Sequence, residues 1–261
     1  MSDIVLFEKR GRIGIITLNR PEARNAVNGD VASGVEAALD AIEADDDIWV
    51  GIVTANTAGQ EKPVFCAGAD LKAINSGNAG GLSTKRGGFA GIASRERRKP
   101  VIVAVDGLAT AGGCEIVLSC DLVVASNRSS FGLAEVKRNL IAGAGGLFRL
   151  PRAIGRGAAL EIILTGEPLA AQRAYELGLV NHVVAPDQVM PKALEIAERI
   201  CAAAPLAVWA SRKVVLASAY EDDETLINMT NAEFGAIMAS EDTKEGLNAF
   251  IEKRLPSWKA R

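Results

Sequence analysis

Histidine is nearly absent from this chain: His182 is the single one among 261 residues. Any Ser-His or Cys-His nucleophile would depend on it alone. It lies in "LVNHVV", a strand-like run with no Ser or Cys motif beside it. One imidazole without clustered acids or thiols supplies no ligand set for a metal. Cysteine is scarce too. Cys66, Cys114, Cys120 and Cys201 form no CxxC pair, and they read as small buried hydrophobes in a reducing compartment. Aromatics make up only 5% of the chain, so the core must be built from Ala, Val, Ile and Leu, and few rings remain to stack on sugars. A basic excess is missing as well. The formal net charge of −3 argues against a nucleic-acid binder. Charges and glycines interrupt every apolar run before it reaches the length of a membrane span. The start, "MSDIVLFEKR", has early acids and no basic-then-apolar leader. The expectation is a soluble cytoplasmic protein that engages neither nucleic acid nor membrane.

What the chain has is small residues and order. Its 26 glycines mark places where backbones approach each other or a ligand closely. "IVLFEKRGRIGIITLN" (4–19) predicts a β-hairpin turning near Gly11. Asn28 predicts a helix cap before Val31, Val35, Ala38, Leu39 and Ile42 at helical spacing. "IWVGIVTA", "PVIVAVDG" and "DLVVAS" read as strands, and "GGCEIVLSC" as a helix. "ASRERRK" (93–99) reads as a charged helical surface, and the Gly- and Ser-rich stretch 75–88, with Lys85 and Arg86, as a mobile segment covering a site. Strands alternating with helices predict an α/β core with largely parallel strands. After about residue 185 four amphipathic helical runs follow, with more apolar surface than they can bury alone.

Two turns stand out. "FCAGADLK" (65–72) and "TAGGCEI" (110–116) each follow an apolar strand and open a helix. Unpaired backbone N–H groups at such starts bind anions or developing oxyanions. Glu115 lies just inside the second helix, within an otherwise apolar and small stretch. An interior carboxylate calls for a partner, a shifted pKa or a chemical task. Glu135 follows twenty residues later in "SSFGLAEVKRNLIAGAGG". On its own it reads as a solvated loop residue. Paired with Glu115 beside an oxyanion site, it could exchange protons with a water.

"FCAGADLK", "GGCEIVLSCDLVVAS", "FGLAEVKRNLIAGAGGLFRLPRAIG", "LTGEPLAAQRAYELGLVNHVV", "RPEARNAVN" and "EGLNAFIEKRLPSW" together resemble the crotonase (enoyl-CoA hydratase/isomerase) superfamily, in the right order over nearly the whole chain. The resemblance implies a spiral of ββα units, with a crotonase core over 1–200 and a C-terminal helical trimerisation region over 201–261. It implies acyl-CoA thioesters as ligands, a homotrimer or a hexamer made of two trimers, and no separate cofactor, since CoA is part of the substrate. The N–H groups of Ala69 and Gly112 would hold the thioester oxygen. Ala67, Asp70, Leu71 and Lys72 would line the CoA-binding edge, and the Gly143 N–H would help hold a water. Glu115 and Glu135 match both carboxylate positions of the hydratases, which points to hydration of 2-enoyl-CoA.

The chain departs from the family pattern at Ala134, where a Pro is frequent, and at Arg138 and Asn139. All three flank Glu135. Other readings are an enoyl-CoA isomerase, a dehydratase or lyase of the same fold, and a non-catalytic CoA- or RNA-binding relative. A two-carboxylate glycosidase would leave the paired turns without a purpose.

Overall fold

The computed structural model describes residues 4–77 and 79–261. The first three residues of the leader-free reading and Asn78 of the 75–88 stretch lie outside the described residues. The hairpin forms as expected. β1 (Val5–Arg10) pairs antiparallel with β2 (Ile13–Leu18), and Gly11 takes the left-handed turn position at φ +59. α1 (Gly29–Ala44) is capped by Asn28, whose side chain accepts from the Val31 N–H at 3.0 Å, and it buries Val31, Val35, Ala38, Leu39 and Ile42. This is the face that the spacing predicts.

From β3 onward the chain repeats one gesture. A first strand enters one sheet, a second enters another, and a helix follows. β3 (Val50–Ala55) is followed by β4 (Val64–Cys66) and α2 (Leu71–Asn75). The short ladder β5 (Ser83–Thr84) and β6 (Gly88–Phe89) is inserted next. β7 (Val101–Val105), β8 (Leu108–Thr110) and α3 (Gly112–Leu118) make the second unit. β9 (Leu122–Ser126) and β10 (Ser130–Gly132) begin the third, completed by α4 (Gly146–Ile154) and α5 (Arg156–Thr165). β11 (Leu169–Ala170), α6 (Ala171–Glu176) and β12 (His182–Val184) close the core. The first strands build a six-stranded sheet ordered β1-β2-β3-β7-β9-β12, and the second strands a four-stranded sheet ordered β11-β10-β8-β4. All pairings from β2 to β12 in the larger sheet are parallel. This is the predicted spiral of ββα units. Of the second sheet only β4 shows in the sequence, as the apolar strand before the first turn; β8 and β10 are three residues each, too short for a period of two to register.

The strand β7 shows how an apolar run is divided. Val101, Val103 and Val105 pack into one core with α1 and the smaller sheet, while Ile102 and Ala104 pack into the other. Alternation in a strand covered on both faces does this. The second core is closed by α7 (Val189–Ala202), through Val189, Ala193, Ile196 and Ala197, and by Trp209 of α8 (Pro205–Ala217). α9 (Asp223–Met238) and α10 (Glu241–Glu252) follow. α9 buries none of its residues.

One expectation is corrected. Residues 93–99 are not helical, and Arg97 and Lys99 are buried. The cause is carbonyl groups left open at helix ends. Lys99 Nζ donates to Ile42 O and Asp45 O at the end of α1, both at 2.7 Å, and Arg97 Nη2 donates to Ser119 O at the end of α3, 2.6 Å away. Pro100 also disfavours helix at Lys99. Within the stretch 75–88 the described residues carry local structure. They hold a 3-10 turn at Ala79–Leu82 and the β5–β6 ladder. Glu36 of α1 fixes them by accepting from the Gly87 N–H at 2.9 Å, and Arg86 pairs with Glu36 and Asp40.

Candidate active site

The smaller sheet assembles the site. Parallel pairing of β4 with β8 and of β8 with β10 brings three strand ends together. After β4 comes the turn 67–70, after β8 the turn 111–113, and after β10 the segment carrying Glu135. The carboxyl edge of parallel strands is where such folds bind ligands. The two turns touch. A Cβ at Gly68 would lie 2.9 Å from Gly112 N and 3.1 Å from Ala111 Cβ, and Gly68 sits at φ +87. Only glycine satisfies both demands.

Two N–H groups at this junction, those of Ala69 and Gly112, meet no acceptor among the described residues. Val27 forms a parallel bridge with Ala69, in which Val27 donates to Gly68 O and Asp70 donates to Val27 O, both at 2.8 Å. Such a bridge uses the groups on either side of Ala69 and leaves its own N–H on the opposite side, with no acceptor among the described residues. Gly112 opens α3, so its N–H has no carbonyl one turn earlier. Ala111, just before it, holds φ +51 and ψ −128, with its N–H tied to Gly132 O at 2.8 Å. Strain of this kind on a non-glycine residue is characteristic of functional sites. The Phe89 ring lies against Gly112, where an added Cβ would fall 2.4 Å from it.

Glu115 is buried, at 4% exposure. Its Oε1 accepts from the Ala144 N–H at 2.7 Å and the Gly146 N–H at 2.9 Å, and its Oε2 takes no hydrogen bond among the described residues. Gly146 is the first residue of α4, so the carboxylate also meets the positive end of that helix. Burial raises the Glu115 pKa, opposed by the Gly146 and Ala144 N–H groups and by the Arg149 charge. Arg149 clamps the loop that supplies these donors, through Nη1 to Ala144 O at 3.0 Å and Nη2 to Ala93 O at 2.6 Å. These holders of Glu115 escaped the sequence reading. The only signal was "GAGG" at 143–146, which marks a close backbone approach without saying to what.

Glu135 opens the 3-10 turn Glu135–Arg138. It is half-buried, not a solvated loop residue, and its Oε2 is enclosed without a hydrogen-bond partner. Burial pushes its pKa up to about 6, against its own backbone N–H; the Glu115 charge pushes it further and Arg138 pulls it back. The two carboxylates therefore share one field but differ in setting, one anchored through an oxygen and one unanchored. Arg138, one of the departures, acts on Glu135 as a compensating charge, and Asn139 takes a left-handed position at φ 55 that ends the turn.

The other predicted residues are placed as follows. Ala67 is half-buried, its N–H donating to Arg24 O at 3.1 Å. Asp70 is engaged: Oδ1 caps α2 by accepting from the Lys72 N–H at 3.0 Å, and Oδ2 meets both terminal nitrogens of Arg20 at 3.2 Å. Burial raises the Asp70 pKa, but the Lys72 N–H and Arg20 outweigh this and the net shift is downward. Leu71 and Lys72 face solvent. Gly143 is exposed in the loop ahead of the Glu115 donors. His182 stands on the edge strand β12 of the other sheet, its pKa lowered by burial and by Lys192. Burial raises the thiol pKa of all four cysteines, of Cys66 and Cys120 to about 12 and of Cys201 to about 11, and all four are free. No group of three or more His, Cys, Asp or Glu among the described residues could hold a metal ion.

The ββα spiral thus brings two carboxylates of unlike environment, close enough for one charge to act on the other, to the edge of the smaller sheet where the Ala69 and Gly112 N–H groups meet no acceptor among the described residues. The chain belongs to the enoyl-CoA hydratase/isomerase family, whose model it matches over residues 8–261. It is 37% identical over 254 residues to a short-chain-enoyl-CoA hydratase of Clostridium acetobutylicum, covering 96% of this chain and 95% of that protein. Its fold matches the crystal structure of a probable enoyl-CoA hydratase/isomerase from Mycobacterium abscessus, with TM-score 0.91 and 45% identity. It also matches that of an enoyl-CoA hydratase from Mycobacterium tuberculosis, with TM-score 0.93 and 42% identity. Both structural matches cover 100% of both chains.

Proposed function

We propose that this chain is an enoyl-CoA hydratase, adding water reversibly and in syn fashion across the double bond of a 2-enoyl-CoA thioester to give a 3-hydroxyacyl-CoA. The observation that carries this reading is the pair itself. Glu115 is fixed through one oxygen with the other left for a water, and Glu135 is a carboxyl group whose pKa of about 6 suits proton donation. Two titratable groups in unlike settings divide the acid and base roles between them.

The steps follow from the atoms. The thioester oxygen sits against the Ala69 and Gly112 N–H groups. Glu115 takes a proton from the water as its oxygen bonds to the β-carbon. The π electrons move toward the carbonyl, and the oxygen gains enolate charge held by the two N–H dipoles. Loss of one such donor costs about 2.7–4 kcal/mol of barrier. The enolate then collapses as protonated Glu135 gives its proton to the α-carbon. Transfer of the proton from Glu115 to Glu135 restores the start. In this reading the Gly143 N–H helps hold the water, and Ala67, Asp70, Leu71 and Lys72 follow the CoA. Asp70 does so as the shaper of the turn, since Arg20 and the Lys72 N–H already occupy its oxygens. No separate cofactor enters these steps. A cytoplasmic setting belongs to the same reading, and the free thiols suit a reducing compartment.

The test is an absorbance assay with crotonyl-CoA and longer 2-enoyl-CoAs. Loss of the conjugated thioester supports hydration. Inert 2-enoyl-CoAs together with conversion of 3-enoyl-CoAs into conjugated products would make the chain an isomerase instead.

A further inference from the structure

A cavity of about 950 Å³ lies between residues 86–98 and the helices α8 and α9, and neither Glu115 nor Glu135 lines it. Its size is that of a small-molecule site, and its wall is cationic. Arg86, Arg95, Arg97, Arg98, Arg212 and Lys213 face two acids of the lining, Glu96 and Glu233. The acids behind the wall are shared. Asp40 serves both Arg86 and Arg95, and Asp121 serves both Arg97 and Arg212; Glu36 adds a longer contact to Arg86, and Glu233 takes Lys213. Arg98 has no ion pair among the described residues and lies over the Trp209 ring at 4.3 Å. Arg95, Arg97 and Arg212 each keep a buried Nε without a hydrogen-bond partner. The Arg97 side chain is 3% exposed. Six cations line this cavity against two acids of the lining, and an oxyanion is the ligand that complements such a wall.

We propose that this cavity is a second binding site, selective for a small carboxylate- or phosphate-type anion. It is tied to the first site by α3. Arg97 holds the carbonyl of Ser119 at the end of that helix, and Gly112 of the anion hole opens it. Seven residues of helix span about 10 Å. An anion in the cavity is therefore either free in solution or the far carboxylate of an acyl group extending from the thioester. The second source rests on the hydratase reading, and the first does not.

Calorimetric titration of the wild-type protein with glutarate, and separately with inorganic phosphate, at low ionic strength tests the site itself. Saturable binding is expected, weakened at least ten-fold by Arg98→Gln, which removes an exposed side chain, and by Arg95→Gln. Hydration of a 2-enoyl-CoA with a terminal carboxylate is then compared with that of an uncharged ester of equal length. A preference lost in Arg98→Gln, with turnover of the uncharged ester kept, assigns the anion to the acyl group. Saturable binding without such a preference assigns it to a free anion. Binding that both Arg variants leave unchanged overturns the proposal, as does absence of both binding and preference. If no ester is hydrated, the hydratase reading fails and the calorimetry alone decides the anion site.

Discussion

At the scale of single residues, Glu115 and Glu135 separate function from stability in different ways. Glu115→Gln keeps a carbonyl oxygen that can still accept from Ala144 and Gly146 N–H, so the loop stays in place. Glu135→Gln removes an acid whose Oε2 has no partner to lose. Both substitutions are expected to lower kcat by about 10²–10⁴-fold with little change in affinity for a product acyl-CoA. Near wild-type hydration by Glu135→Gln would sink the two-carboxylate mechanism. The stability of Glu135→Gln should diverge from that of the wild type with pH. Glu135 ionises at about 6 in the fold against an ordinary 4.5. Its protonated form is thus the one the fold favours. The contribution is whole below pH 4.5 and is lost as pH rises through about 6. Glu135→Gln should therefore melt above the wild type at pH 8 and level with it near pH 4. A melting series across this range checks the sign. Glu115 was legible in the sequence from its apolar setting, and Glu135 only through the resemblance to the crotonase superfamily. The Ala144 and Gly146 donors were not, because a backbone N–H carries no residue signature.

At the scale of elements, the turn into α3 concentrates constraints in three neighbouring positions. Ala111 holds a left-handed φ of +51, which costs about 1–3 kcal/mol for a residue with a Cβ. Glycine would relieve that strain but adds freedom to the unfolded chain. Ala111→Gly should therefore stabilise by about 1 kcal/mol, read from denaturant midpoints. Gly113→Ala should do the reverse. Its Cβ would fall 2.1 Å from Cys66 O, pushing β4 away from α3, at a cost of about 1–3 kcal/mol or more. If Gly113→Ala proved neutral, the contact between the two turns would not be as tight as described. The helices with a clear periodic face, such as α1, and the strands of the larger sheet could be read from the sequence. The segment 93–99 could not, because its cations are drawn in by carbonyls at the ends of α1 and α3, partners distant in sequence. Likewise Arg86 reads as a free loop cation until α1 presents Glu36 and Asp40 to it.

At the scale of the whole molecule, the unsolved quantity is apolar surface. α9 buries no residue of its own, yet Ile227, Phe234 and Met238 on it are at least half exposed. Phe250 and Leu255 beyond it stand 85% and 90% exposed. At roughly 25 cal/mol per Å², uncovered side chains of this size would favour association strongly, and closed symmetric assemblies are its usual form. Val208, Val214 and Ile237 of these C-terminal helices are half-buried against the chain itself, so they serve the fold more than the assembly. Light scattering is expected to give three or six times the 27.3 kDa chain. Ile227→Asp combined with Phe234→Asp should move that mass toward one chain and lower the melting temperature in a concentration-dependent way, since assembly stabilises by mass action. A wild-type mass of one chain at micromolar concentration would mean that α9 is content in water, and the C-terminal region 201–261 would then need a task other than oligomerisation.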